Sequence, residues 1–310
     1  MSRNLVKKTK FIVRSKHAFK QYNPEFCNGI KSKKILFSKF QHLKAMVNIT
    51  KSSIKPIINI IPYCGEIVHV SKYLDKVNES AIELDVKSSI ESTFNAQVIS
   101  NFVNDGIIET PKQYRSISDA TKFKKILESR DTRAKILNDK KHALIVVHGK
   151  FLKQLTELYG KTTPFDNLDI LQIIIHKDDS EKPLLYARRF NESYSVATPL
   201  NTDIQYKKGL LKGCTNIFLM RHCVACHNII NKVANIRMLG HIIKAIKGEL
   251  GYSLYSICSP YTITELMDKK QALLDLFNST CDGIHNIQFG SSVIFRAILT
   301  TVLFARILNS

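Results

Sequence analysis

The chain has 310 residues and is 44% hydrophobic, enough for one or two domains with a sizeable core. Its formal charge of +20 favours anionic partners: nucleic acid, an anionic membrane surface or phosphorylated small molecules. Seven cysteines without a regular framework argue against a disulfide-stapled scaffold and for free thiols in an intracellular, cytoplasmic setting. The charge excess is concentrated in residues 1–55, where 14 Lys or Arg face Glu25 as the sole acid. That segment reads as a solvated basic surface or as a nucleic-acid contact. Its first residues lack the apolar stretch of a signal peptide.

In chain order, short apolar runs alternate with helical patterns. "TKFIVRS" (9–15), "KKILFSK" (33–39) and "IINIIPY" (57–63) read as strands, with a short helix over "FQHLKAMVNIT". "SDATKFKKILESRDTRAKIL" predicts a longer helix with Ser118 or Asp119 as N-cap. "HALIVVHGKFLKQLTELYG" predicts a strand, a His148-Gly149 corner and an amphipathic helix closing at Gly160. "DILQIIIHK" and "PLLYARRF" read as strands around the turn "DDSEKP".

After the linker-like "KKGLLKG" (207–213) the alternation restarts with the strand "NIFLM". "NIINKVANIRMLGHIIKAI" and "ITELMDKKQALLDLF" follow as helices, then the strand "NIQFGS" and the helix "VIFRAILTTVLFARIL". Arg296 and Arg306 make that last segment a buried helix rather than a membrane span. The alternation predicts an α/β fold on a largely parallel sheet flanked by helices. In such sheets functional groups gather at the carboxyl ends of strands, where Arg221-His222 and His148-Gly149 both fall.

The stretch "FLMRHCVACHN" (218–228) offers three chemistries. Cys223, Cys226 and His227 have the C-x-x-C-H spacing of covalent haem attachment, but the export signal that such assembly needs is missing. Zinc on the same residues would need a fourth ligand, and no second C-x-x-C or matching His pair is present. "GKTTP" at Gly160 lacks the earlier glycine of a phosphate loop, since position 155 is Leu. Phosphoryl chemistry draws on more residues. Imidazoles at His222 and His148 can act as nucleophile and oxygen ligand, guanidinium groups at Arg221 and Arg296 can neutralise phosphate, and Glu66 can protonate a leaving oxygen.

These segments resemble the histidine phosphatase superfamily, the phosphoglycerate mutase-like fold. "FLMRHCVACHN" is similar to its strand, Arg-His-Gly and later Asn; "SSVIFRAILTT" to its Ser-Ser-x-x-x-Arg-Ala helix start; "IVVHGKFLKQL" to its second-histidine segment; and "IIPYCGE" to the strand before its acid. "TITELMDKKQALLDL" and "NLDILQIII" add weaker likenesses. The resemblance implies phosphoryl transfer or phosphomonoester hydrolysis through a phosphohistidine, without metal or cofactor. His222 would be the nucleophile. Arg221, Arg296, His148 and Asn228 would bind the phosphoryl group, and Glu66 would donate the proton. The partner would be a phosphorylated small molecule or phosphoprotein, with no membrane. The competing expectation is a degenerate, non-catalytic member that binds polyanions or a protein.

The order departs from the family. Here Glu66 and His148 precede Arg221-His222 and Arg296, and Cys223 stands where the family has Gly. Circular permutation or a worn tandem repeat would each produce this order. Residues 9–45 favour the tandem form, because they read as a second strand–helix opening. That form divides the chain into 1–206, a linker 207–213, and 214–310 as the front half of a second unit.

Overall fold

The apolar runs assemble into a single sheet. The computed structural model describes residues 24–27, 33–47, 55–65, 79–102, 118–176, 182–201, 213–226, 257–292 and 294–309. Its strands are β1 (Ile57–Ile60), β2 (Gln97–Ile99), β3 (His142–Val147), β4 (Ile170–Ile175), β5 (Leu184–Arg188), β6 (Ala197–Pro199), β7 (Thr215–Arg221) and β8 (Ile287–Ser291). They lie in the order β2-β1-β8-β3-β7-β4-β5-β6. From β2 to β7 every pairing is parallel, and from β7 to β6 every pairing is antiparallel. The sheet is therefore mixed, where the alternation of strands and helices predicted a largely parallel one. β4 and β5, consecutive in the chain, pair antiparallel, in the part of the sheet where antiparallel order runs from β7 to β6.

The helices are α1 (Lys33–Val47), α2 (Glu79–Phe94), α3 (Ala120–Glu128), α4 (Arg130–Leu137), α5 (Gly149–Glu157), α6 (Pro260–Asp268), α7 (Lys270–Cys281) and α8 (Phe295–Leu308), with one further turn at Pro24–Cys27. They cover both sheet faces. Along β3, Leu144 and Val146 pack with α1, α2, α6, α7 and α8, while Ala143, Ile145 and Val147 pack with α3, α4 and α5. β7 divides the same way, with Phe218 and Met220 on one side and Ile217 and Leu219 on the other. This two-sided burial is why both strands read as unbroken apolar runs rather than alternating ones.

Several expectations change. "KKILFSK" is not a strand but the start of α1, which buries Leu36, Phe40, Leu43 and Val47 along one helical face. The helix expected over 118–137 breaks at Ser129, where Arg133 turns back to donate to the carbonyl of Leu127. Asp119 does cap it, accepting from the Lys122 amide. The helix expected over 263–277 is two helices, Pro260–Asp268 and Lys270–Cys281, parted at Lys269. The strand at 9–15, the turn "DDSEKP", the helix after Asn228 and most of the linker 207–213 lie outside the described residues. Strands from 214–310 do not build a separate sheet: β7 lies between β3 and β4, and β8 between β1 and β3. α8 is the buried helix expected; among the described residues no helix is long and apolar enough to cross a membrane.

Four of the cysteines are paired rather than free, as Cys27–Cys226 and Cys223–Cys258, while Cys64, Cys214 and Cys281 are buried thiols. The reducing compartment inferred from free thiols loses that basis.

His142, at the start of β3, is buried, and its Nδ1 accepts the Asn216 amide at 3.0 Å. The other nitrogen, Nε2, has no hydrogen-bond partner among the described residues. Burial, helped by Lys141 and opposed by Asp282, lowers its pKa from 6.5 to about 4. The unfolded chain therefore binds the proton first as pH falls, so stability drops between about pH 6.5 and 4. His142→Asn, which keeps an acceptor for Asn216, is expected to remove this component, worth no more than about 3 kcal/mol. Denaturant midpoints at pH 7 and pH 4.5 for both proteins measure it.

Candidate active site

Three neighbouring parallel strands, β8, β3 and β7, end at one edge of the sheet. Parallel neighbours lie about 4.8 Å apart, so residues just past matched strand ends are held side by side. Val147 is in register with Arg221, and Val146 with Ser291. The ladder continues one step beyond: the His222 amide donates to the carbonyl of Val147 at 2.9 Å, and the Ser292 amide to that of Val146 at 2.9 Å. His222, His148 and Ser292 thus emerge together, one from each strand.

Their side chains meet. The His148 and His222 rings lie 5.0 Å apart between centroids, tilted by 58°. His148 Nε2 hydrogen-bonds Ser292 Oγ at 2.9 Å. Arg296, in the first turn of α8, reaches His222, its Nε–H donating to Nε2 at 3.2 Å. The site is closed over, with His148 1%, His222 4% and Arg296 7% exposed. Burial pushes Arg296 down to about 10, which leaves it charged at neutral pH.

The tautomer of His222 follows from its partners. Its Nδ1 lies 2.7 Å from the carbonyl oxygen of Cys223, which can only accept. Nδ1 therefore carries the hydrogen, and Nε2 presents a lone pair. An imidazole in this state, with a guanidinium at its lone pair and a second imidazole beside it, is equipped to receive an electrophilic, negatively charged group such as a phosphoryl.

Arg221 lies on the other side of β7. Its guanidinium donates to the carbonyl of Phe165 and rests against α5. A Cβ on Gly149 would stand 2.9 Å from Arg221 Nε, so the glycine of the His148-Gly149 corner is what lets the guanidinium approach. Burial lowers the Arg221 pKa, against the opposing pull of Asp166 and Asp169. The sequence-predicted His222, His148 and Arg296 are thus brought into one cluster, with Arg221 at its flank. Glu66 and Asn228 lie outside the described residues.

Two contributors were not assigned from sequence. Ser292 was visible in the Ser-Ser pair before Arg296 but had no role. Asn167 left no signal beyond a polar residue in the loop "PFDNLD"; its Nδ2 donates to the carbonyls of His222 and Cys223. The C-x-x-C sulfurs are each bound to a different cysteine and so are not thiolate ligands, and the described residues contain no cluster of three or more His, Cys, Asp or Glu suited to a metal.

Residue 223 is held from a further side. The Cys223–Cys258 disulfide joins it to the chain two residues before α6, the Cys223 amide donates to Thr300 Oγ1 at 3.3 Å, and Ala225 and Cys258 form an antiparallel bridge. Thr300 lies one helical turn after Arg296 on α8. The chain matches no protein-family model, no curated protein and no solved structure.

Cys258→Ser opens a 35-residue loop. It is expected to cost roughly 3–4 kcal/mol of stability by the chain-entropy estimate. Guanidinium titration of wild type and variant, each with and without a dithiol reductant, checks it: without reductant the two should differ by this amount, and with reductant, which also opens Cys27–Cys226, both should fall further and converge.

Proposed function

We propose that this chain is a histidine phosphatase-like protein in circularly permuted order, and that it transfers or hydrolyses phosphoryl groups through a phosphohistidine at His222. The observation carrying this reading is the meeting of His222 and His148, at two neighbouring strand ends, with Arg296 from the first turn of α8. Each comes from a segment picked out by its likeness to that superfamily, and His148 and Arg296 both meet His222 despite lying in different parts of the chain. Chance placement of three such residues would scatter them over the sheet.

Permutation fits the topology better than a tandem repeat. The segment "ILFSKFQHLKAM", needed as a worn strand–helix copy, is wholly helical. β8, α8 and β1 are arranged as one strand–helix–strand unit: β8 pairs with β1 in parallel, and α8 packs on both. Joining α8 to β1 through chain would restore the superfamily's order around one pocket.

In the proposed reaction the Nε2 lone pair of His222 attacks phosphorus. The N–P bond forms as the bond from phosphorus to the leaving oxygen breaks, and a general acid, for which Glu66 is the candidate, protonates that oxygen. The imidazolium retains its hydrogen on Nδ1, facing the Cys223 carbonyl. Arg296 releases Nε2 and turns to the equatorial oxygens, joined by His148 and, from the α5 side, by Arg221. Water or a second acceptor then takes the phosphoryl group and returns His222 to neutrality.

One observation favours the non-catalytic alternative. Arg296 occupies the lone pair of His222, and all three side chains are buried. In that form the cluster is a structural cross-link, and the basic residues 1–55 would carry polyanion binding.

Incubation with p-nitrophenyl phosphate, followed by trapping of an acid-labile, base-stable phosphoprotein, separates the two. Catalysis requires label in the wild type and none in His222→Ala. Turnover should fall roughly 10²–10³-fold in Arg296→Ala, the scale of losing one charge-stabilising donor. No label in the wild type, with salt-dependent retention of RNA or DNA, would select the non-catalytic form.

A further inference from the structure

We infer that Asn167 is a positioning residue for His222: it holds the backbone carbonyl that fixes which imidazole nitrogen carries the hydrogen. Its use in catalysis rests on the proposed function, but the positioning itself does not. Asn167 Nδ2 lies 2.8 Å from the carbonyl oxygen of His222 and 2.9 Å from that of Cys223. Both partners only accept, so the group between them must be the NH₂ end of the amide, and its two hydrogens serve the two carbonyls. The Cys223 oxygen also accepts from His222 Nδ1 at 2.7 Å. Its two lone pairs are thereby committed, one to Asn167 and one to the imidazole.

The loop that presents Asn167 is fastened to the same stretch of chain. The Leu168 amide donates to the Arg221 carbonyl, and the Arg221 amide to the Asp169 carbonyl, each at 3.0 Å. The buried Asp169 carboxylate receives the amides of Asp166 and Phe190 and the guanidinium of Arg189 at 2.6 Å. Leu168 is held at φ 69°, a left-handed conformation costly for a leucine and sustained only where neighbours enforce it. The enforced turn aims Asn167 at the two carbonyls.

Without the amide, the Cys223 peptide loses a donor and is free to tilt, and Nδ1–H loses its fixed acceptor. The Nε2 lone pair would then be present in only part of the population. Asn167→Asp keeps the shape but sets a carboxylate against two carbonyls; Asn167→Ala removes the group; Asn167→Gln retains the NH₂ on a longer arm.

Nitrogen-15 NMR of the histidine rings in the full chain at pH 8, with His222 assigned by loss of its signals in His222→Gln, reads the tautomer directly. The wild type should be Nδ1–H. In Asn167→Asp and Asn167→Ala the tautomer ratio should shift at least about tenfold toward Nε2–H, the scale of one lost hydrogen bond in a buried site. Asn167→Gln should recover part of the shift. A wild-type His222 in the Nε2–H form, or an unchanged ratio in a folded variant, overturns the inference. The wild-type spectrum alone can do so even if both variants fail to fold. Phosphohistidine trapping, run in parallel, reports on the chemistry separately. Label with an unmoved tautomer sinks the positioning role but not the enzyme, and a moved tautomer without label does the reverse.

Discussion

The hydrogen-bond ladder that places β3 between β8 and β7 is the constraint on which the candidate site depends. It fixes three chain segments in register to within one residue. It then continues past the strands through the amides of His222 and Ser292. A one-residue slip of either outer strand would exchange the side chains packed against the two helix layers, so close packing on both sides of the sheet enforces the alignment. The residues beyond Val147, Arg221 and Ser291 inherit that alignment with little freedom of their own. Rigid placement of this kind is what a nucleophile and its oxygen ligands require, since small misplacements cost large factors in rate.

Among the described residues the cluster gathers two imidazoles and a guanidinium in one buried space, and taking a charge out of water is expensive. Arg296 offsets part of this by donating to the neutral His222, which also explains why the imidazole remains an acceptor there. Under the proposed function a phosphoryl group would bring negative charge and several acceptors to the same place and so offset that cost. The Cys223 carbonyl works on the opposite side of the ring. It holds the hydrogen on Nδ1, and Asn167, the Cys258 disulfide and Thr300 together restrain its peptide.

What the sequence disclosed follows from which interactions are local. β3, β4 and β7 were legible because strands buried on both faces are apolar over most of their length, and His148 and His222 were legible because they follow such runs. α1 was misread because its first seven residues look extended; its helical stripe appears only when Phe40, Leu43 and Val47 are counted with Leu36. The antiparallel half of the sheet was hidden because an apolar run carries no direction. Cysteine spacing could not show that Cys223 and Cys226, three apart, would take partners 35 and 199 residues away. Asn167 acts on backbone 55 and 56 residues further on, through a single amide, and nothing in its neighbours marks it.

The same reasoning bears on chain order. A site built from ladder neighbours depends on which strands are adjacent, not on which comes first. β8, β3 and β7 would present His222, His148 and Ser292 in the same way wherever the chain was opened, provided the break fell away from that edge. α8 contributes Arg296 from its first turn, and its other end, at Leu308, lies a full helix length away. A break after that far end spares Arg296, the ladder and the loop carrying Asn167. In the proposed permuted order the opening falls between α8 and β1, away from that edge, and so leaves the cluster undivided.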